Sequence, residues 1–269
     1  MSKKILGFVG CGNMASAIIN GIVKSNTFPA NKIYVYDINQ EKCNILKSKT
    51  GINVVSSINN LAENCNVIFL AVKPQNFAEV LASLKPIVNE QILFVSIAAG
   101  ISTAFIIKNL ECRCPVVRTM PNTPLLIGEG ATAVCRTQNV SDEDFLLIQS
   151  IFSSCGTVTV LKESQMNAVI SVNSSSPAYI YLFAKSMLDS AVKQGIDKDT
   201  ALKLICQTLL GSAEMLLKSG YTPEELIKMV SSPGGTTLEA LEVLYSNNFE
   251  QIIDEAMKAC TNRANELGK

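Results

Sequence analysis

Up to about residue 161 the chain alternates short apolar runs, rich in Ile and Val, with segments whose apolar residues recur every three or four places. The runs at 4–9, 32–36, 67–71, 92–96, 115–118, 131–135 and 156–160 read as strands, and the segments between them as helices. That alternation is the pattern of a parallel sheet with helices on its faces. The helix after the first strand opens near Asn13 and turns Ala15, Ile18, Ile19, Ile22 and Val23 inward. Another opens after Ser141, with Asp142, Glu143 and Asp144 in its first turn, and stops before Gly156. Right-handed crossovers stack such units into a doubly wound sheet.

After residue 162 no period-2 run appears again, and everything left reads as helix. Ser176 as a cap and Pro177 at the first helical position precede a helix over 178–193, which Gly195 can end in the left-handed conformation. Further helices are expected over 199–218, after the capping box Thr222-Pro223-Glu224-Glu225, from Thr237 and from Phe249. The segment 199–218 is apolar over most of its circumference and needs partners on several sides. A helical segment of this size cannot supply them, so burial against a second copy of the chain is expected. The fold class that follows is α/β plus all-α: a Rossmann-type doubly wound parallel-sheet domain over 1–161, then an all-helical dimerisation domain over 162–269.

Composition narrows the chemistry. Lys plus Arg and Asp plus Glu both number 23 among 269 residues, and only 17% of residues are charged. The chain thus lacks the basic excess that nucleic acid or an anionic membrane requires, and neither is expected as a partner. The strongest apolar runs, 67–72 and 92–101, fall short of the roughly 20 residues that span a bilayer. The first residues lack the long apolar stretch of a secretory signal. A cytoplasmic protein is expected. There is no histidine, which excludes His-ligated zinc, His general bases and Ser-His or Cys-His nucleophile pairs. The nine cysteines are scattered without a C-x-x-C. They read as small hydrophobes in a reducing compartment, and Cys112-Arg113-Cys114 is only half of a metal site, so no metal is expected.

The sharpest motif is Gly10-Cys11-Gly12-Asn13-Met14-Ala15, between an expected strand and an expected helix. Read as G-x-G-x-x-A, it gives Gly10 the tight turn, Gly12 the space for a pyrophosphate, and Ala15 the close helix–strand contact. Asp37, about 25 positions on, ends the second strand where an acid meets the ribose hydroxyls. It also fits a plain strand-end turn, and Asn39, Gln40 and Lys42 follow it, so NADH and NADPH stay open as cofactors. Ala71-Val72-Lys73-Pro74 closes another strand at the carboxyl edge of the sheet, where ligands bind in such folds. Arg118 to Pro124, with Met120-Pro121-Asn122-Thr123-Pro124, is a stiff polar turn suited to wall the nicotinamide end. In the helical half, Asn173-Ser174-Ser175-Ser176-Pro177 and Ser231-Ser232-Pro233-Gly234-Gly235-Thr236-Thr237 place small polar residues before helix starts. The second, with its double glycine, suits a substrate carboxylate.

These motifs, with Val95 to Gly100 and Ser175-Ser176-Pro177-Ala178-Tyr179, run in one order along practically the whole chain. In that order they resemble the pyrroline-5-carboxylate reductase family. The resemblance implies an NADPH- or NADH-dependent reduction of 1-pyrroline-5-carboxylate to L-proline, with hydride delivered to C5 of the cyclic imine. It implies a homodimer with interlocked helical domains, assembling in some members into decamers. Val9, Gly10, Cys11, Gly12, Asn13, Met14, Asp37, Ala71, Val72, Lys73, Pro74 and Asn122 would then face the cofactor. Ser175, Ser232, Gly234, Gly235, Thr236 and Thr237 would face the substrate, the hydroxyl of Thr237 bonding the ring nitrogen and Gly235 holding the carboxylate through its N–H. One departure stands out: Asn173-Ser174 replaces the family's usual Ser-Gly. A hydroxyacid dehydrogenase relative would want a lysine base in a glycine-rich setting, which Lys162 and Lys185 lack. A nucleotide sensor without catalysis would have no use for the Ser-Pro-Gly-Gly-Thr-Thr loop.

Overall fold

The computed structural model describes residues 4–268. The chain divides into two compact units, Met1–Pro177 with Ala259–Lys269, and Ala178–Lys258.

The first unit is built on an eight-stranded sheet in the order β3-β2-β1-β4-β5-β6-β7-β8. Its strands are β1 (Leu6–Val9), β2 (Ile33–Tyr36), β3 (Asn53–Val54), β4 (Val67–Leu70), β5 (Leu93–Ser96), β6 (Val116–Met120), β7 (Gly130–Arg136) and β8 (Gly156–Val160). All neighbours pair in parallel except β6 and β7. That exception follows from the connection: 121–129 holds only a 3-10 turn, Thr123–Ile127, and a parallel return needs a crossover of about a dozen residues or more. β3 was not expected. It has two half-buried residues and no apolar run of its own, and pairing with the edge of β2 supplies what its sequence lacks.

Alternate residues of the inner strands enter opposite cores, as the period of two requires. Leu6, Phe8, Val67, Phe69, Leu93 and Val95 join α1 (Asn13–Lys24), α2 (Gln40–Thr50) and α6 (Asp142–Ser153) on one face, where Phe8 and Phe69 stack with ring centroids 4.3 Å apart. Val9, Ile68, Leu70, Phe94 and Val116 join α3 (Ile58–Asn64), α4 (Phe77–Leu84) and α5 (Thr103–Leu110) on the other. α1 buries Ala15, Ala17, Ile18, Ile19 and Ile22, while Val23 is only half-buried. The Ser141 hydroxyl caps α6 by accepting from the Asp144 N–H at 3.1 Å.

Helix α7 (Ser176–Lys193) begins differently from expectation. A π-helical turn, Ile170–Ser174, leads into it, and Ser176 lies inside the helical run, its hydroxyl donating to the Val172 carbonyl at 2.5 Å. It is not a cap. Pro177 has no N–H for the carbonyl four residues back, and that carbonyl, of Asn173, accepts from the Asn122 amide at 3.0 Å instead.

The last residues of α11 (Phe249–Leu267) return to the first unit. Ala264 is buried in a small cluster with Met120, Ala133, Cys135, Met166 and Ile170. Gly100, at φ +81°, is the residue against which this helix end closes: a Cβ there would meet the Ala264 carbonyl oxygen at 2.7 Å and Leu267 Cβ at 2.8 Å. The glycine that ends the 95–100 motif is thus a packing requirement.

The second unit contains the rest of α7, α8 (Lys198–Lys218), α9 (Pro223–Met229), α10 (Thr236–Ser246) and the first half of α11. The expected capping box is in place at α9, where Thr222 and Glu225 bond reciprocally, and α8 is capped by Asp197, which accepts from the Thr200 N–H. Of the apolar residues of α8 only Ala201 and Ile205 are buried in the single chain. Leu210, Leu216 and Leu217 are exposed, and α8 with α9 lines an apolar groove of about 580 Å3. By length and composition α8 is long and apolar enough to cross a membrane, which the shorter runs 67–72 and 92–101 are not.

Candidate active site

The fingerprint turn sits where the sheet's carboxyl edge opens. Gly10, at φ +104°, donates its N–H to the Tyr36 carbonyl at 2.7 Å, and a Cβ on it would lie 2.6 Å from the Ala71 oxygen. Only glycine lets the ends of β1, β2 and β4 meet at this point. Gly12 is the N-cap of α1 with ordinary extended angles (φ −75°, ψ 179°), and among the described residues no atom lies within 4 Å of where its Cβ would be. Nothing in the fold requires a glycine there. The space it leaves would fit a nucleotide's pyrophosphate, since among the described residues no side chain caps α1 and no acid occupies its first turn.

Asp37 is tied into the same turn. Its Oδ2 accepts the Cys11 N–H at 2.6 Å and its Oδ1 the Asn39 N–H at 2.8 Å. Asn39 caps α2 through the Lys42 N–H at 3.2 Å, and Gln40 donates to the Asp37 carbonyl at 2.8 Å. Val9, Gly10, Cys11, Gly12 and Asp37 therefore come together with Ala71 and Val72, whose Cγ1 would be 3.3 Å from a Gly10 Cβ. Asn13 and Met14 form the first turn of α1. Lys73 is exposed and precedes the 3-10 turn Pro74–Asn76.

Asn122 is buried, and both its polar groups are in use: Nδ2 on Asn173 O and Oδ1 accepting the Ala131 N–H at 2.9 Å. Asn173 answers it by donating to Met120 O at 2.7 Å and Ala131 O at 2.9 Å. The Asn173 departure thus makes a reciprocal clamp between the β6–β7 edge and the start of α7. Ser175, in the same stretch, accepts from the Cys260 thiol at 3.3 Å.

A polar network that the sequence did not disclose lies beside this clamp. Arg118, 2% exposed in the middle of β6 and so part of the strand and not of the polar turn, reaches Glu163 Oε1 at 3.3 Å and Asn167 Oδ1 at 2.5 Å. Glu163 also accepts the Thr103 N–H at 3.0 Å and its hydroxyl at 2.9 Å, and Asn167 donates to Asn265 at 2.7 Å. It joins the first turn of α5, β6, the 162–167 turn and the end of α11. The sequence signal was an arginine directly after the apolar Val116 and Val117.

Burial pushes the thiols of Cys43, Cys65, Cys114 and Cys135 up to about 12. These four are un-ionised at neutral pH, so none is a thiolate nucleophile.

The second unit carries the Ser232–Thr237 loop. Gly234 takes φ +69°, which favours glycine, and a Cβ on Gly235 would lie 2.6 Å from the Ser232 hydroxyl and displace it. Gly235 is the N-cap of α10, and no side chain among the described residues caps it. The Gly235 N–H, expected to bind a carboxylate, is instead donated to Ser232 O at 2.9 Å. The open donors of the cup are the N–H groups of the first turn, at Thr236 and Thr237, beside the exposed Ser232 hydroxyl.

Comparisons with known proteins place the chain as a whole. The family model described as "Pyrroline-5-carboxylate reductase dimerisation" matches residues 163–267, and one described as "NADP oxidoreductase coenzyme F420-dependent" matches 5–100. The chain is 38% identical to the pyrroline-5-carboxylate reductase of Escherichia coli over the full length of both, and 39% identical to that of Haemophilus influenzae over 99% of this chain and 98% of the other. Among solved structures, pyrroline carboxylate reductase of Plasmodium falciparum with NADP bound matches at 33% identity with a TM-score of 0.91. A reductase of Coxiella burnetii matches at 36% with 0.90, and each alignment covers 100% of both chains. With such agreement in sequence, fold and length, the chain belongs to the pyrroline-5-carboxylate reductase family.

Proposed function

We propose that this chain reduces 1-pyrroline-5-carboxylate to L-proline, that residues 162–269 make it a homodimer, and that the Ser232–Thr237 loop holds the substrate. The observation that carries the reading is the pairing, in one chain, of an open dinucleotide turn at Gly12 with an uncapped, glycine-built cup at the start of α10. The full-length likeness to reductases of that name supplies the substrate.

When bound, reduced nicotinamide supplies a hydride for C5 of the imine. The protein's part is to hold a cation and a carboxylate in place, because a protonated imine is already a strong electrophile. The Thr236 and Thr237 N–H groups and the Ser232 hydroxyl bind the carboxylate, helped by the positive end of the α10 dipole. The Thr237 hydroxyl accepts from the protonated ring nitrogen and fixes which face of the ring meets the cofactor. No histidine is needed, because no base has to be tuned. Ser175 borders the substrate, and Val9 to Met14, Asp37, Ala71 to Pro74 and the Asn122 turn border the cofactor.

Thr237→Ala is expected to lower kcat/KM about 100-fold in an assay of NADH or NADPH oxidation with the pyrroline carboxylate, the melting temperature staying near that of wild type. No turnover by wild type with either cofactor would refute the enzyme assignment; an unimpaired variant would refute only the role of Thr237.

The exposed leucines of α8 are the surface a second copy covers, which gives its apolar character a reason other than a bilayer. Sedimentation at nanomolar concentration should show dimers or a larger assembly such as a decamer. A compact folded monomer would overturn the interlocked dimer. All nine cysteines are free thiols, in keeping with a cytoplasmic enzyme.

A further inference from the structure

We propose that this chain selects NADH over NADPH and that Asp37 is the residue that makes the selection. This rests on reading the chain as a nicotinamide-dependent reductase, and it departs from the relative whose structure holds NADP.

The carboxylate of Asp37 is not free to swing aside. The Cys11 N–H holds one oxygen at 2.6 Å and the Asn39 N–H the other at 2.8 Å, so a negative charge is fixed beside the pyrophosphate turn. In this fold an acid at the end of the second strand faces the ribose 2′-hydroxyl. A carboxylate offers about four lone-pair sites and two are used, which leaves room to accept the ribose hydroxyls. A 2′-phosphate at the same place brings roughly −1.5 to −2 charges against that carboxylate and requires cations to offset them.

The residues that follow the acid provide only one. Ile38, next to the acid, is 90% exposed and neutral, an apolar face for a purine. Asn39 is spent as the cap of α2. The Gln40 amide is spent on the carbonyls of Asp37 and Val55, at 2.8 and 3.4 Å. Lys42 is the one cation in the segment 37–42, and Glu41 stands beside it in the chain. The Cys11 thiol registers the balance: burial raises its pKa most, and of the charges near it Asp37, which raises it, acts more strongly than Lys42, which lowers it.

The test is calorimetric binding of NADH and NADPH to the full-length protein without pyrroline substrate, for wild type and Asp37→Asn. Asparagine keeps an acceptor oxygen for the Cys11 N–H and removes the charge. Wild type is expected to bind NADH at least tenfold more tightly than NADPH, and Asp37→Asn to narrow that ratio at least tenfold, with NADPH binding tightened. Wild type binding NADPH as tightly as NADH would overturn the proposal, as would a ratio unmoved by Asp37→Asn. If Asp37→Asn does not fold, Asp37→Ser is measured under the same criterion. Because binding is read without the imine, a protein that prefers NADH yet turns over no pyrroline carboxylate would refute the proposed reaction and leave the selection standing.

Discussion

Gly12→Ala is expected to abolish measurable NAD(P)H binding while leaving the protein folded. The two halves of that result come from different features of one position. Gly12 has angles any residue adopts, and among the described residues no atom lies within 4 Å of the added methyl. Its structural cost is limited to replacing a tolerable helix N-cap by a poor one, about 1 kcal/mol or less. The functional cost is larger, because the methyl occupies the space through which the backbone meets the pyrophosphate. A displacement of about 1 Å in such a contact costs on the order of 100-fold. Gly10→Ala makes the contrast. There the added Cβ would lie 2.6 Å from the Ala71 carbonyl at a φ of +104°, so strain and overlap together destabilise by about 3 kcal/mol, and binding is lost along with stability. Calorimetric titration with NADH beside a thermal melt separates the two. A Gly12→Ala protein that binds normally would remove the pyrophosphate from this turn, and an equally unstable pair would remove the distinction between fold and site.

Glu163→Gln is expected to destabilise the protein by about 3 kcal/mol, more than Arg118→Met, which should cost about 1–2 kcal/mol. The asymmetry follows from exposure. Arg118 is 2% exposed and Glu163 37%. Neutralising Glu163 strands a guanidinium that water cannot reach, one whose Nε already lacks a partner among the described residues. It also turns an amide NH2 toward a place where Thr103 N–H, Thr103 hydroxyl and Arg118 all donate. Removing Arg118 leaves Glu163 with both Thr103 bonds and part of its surface in water. The double variant should cost close to Arg118→Met alone, since the stranded charge is gone. Urea unfolding at fixed protein concentration measures all three, the concentration being held because assembly contributes to stability. Equal costs for the two single variants, or a costlier Arg118→Met, would sink this account of the network.

Much of the architecture could be read before any coordinates, because it is written in local periods. The alternation that places Phe8 and Val9 on opposite faces of the sheet, the 3.6-residue spacing of α1 and the capping box at Thr222 each lie within a few neighbouring residues. The fingerprint was legible for the same reason: strand, glycines and helix are contiguous. Where the reading fell short, a partner from elsewhere in the chain had changed the outcome. β3 is a strand because β2 is beside it, Ser176 is not a cap because a π-helical turn precedes it, and the Gly235 N–H serves its own loop.

By itself, then, the sequence determined that a dinucleotide fold precedes a helical half rich in apolar residues, and which turns are the candidates for the chemistry. Only the tertiary structure decided what each polar group is already doing. Arg118 and Glu163 are 45 positions apart and Asn167 and Asn265 are 98 apart. Hydrophobic periodicity is blind to such pairs, because a hydrogen bond depends on where two atoms end up and not on the pattern around either one. The same holds for Asp37: its position in the chain suggested a ribose contact, and its two backbone partners decided that the charge stays there.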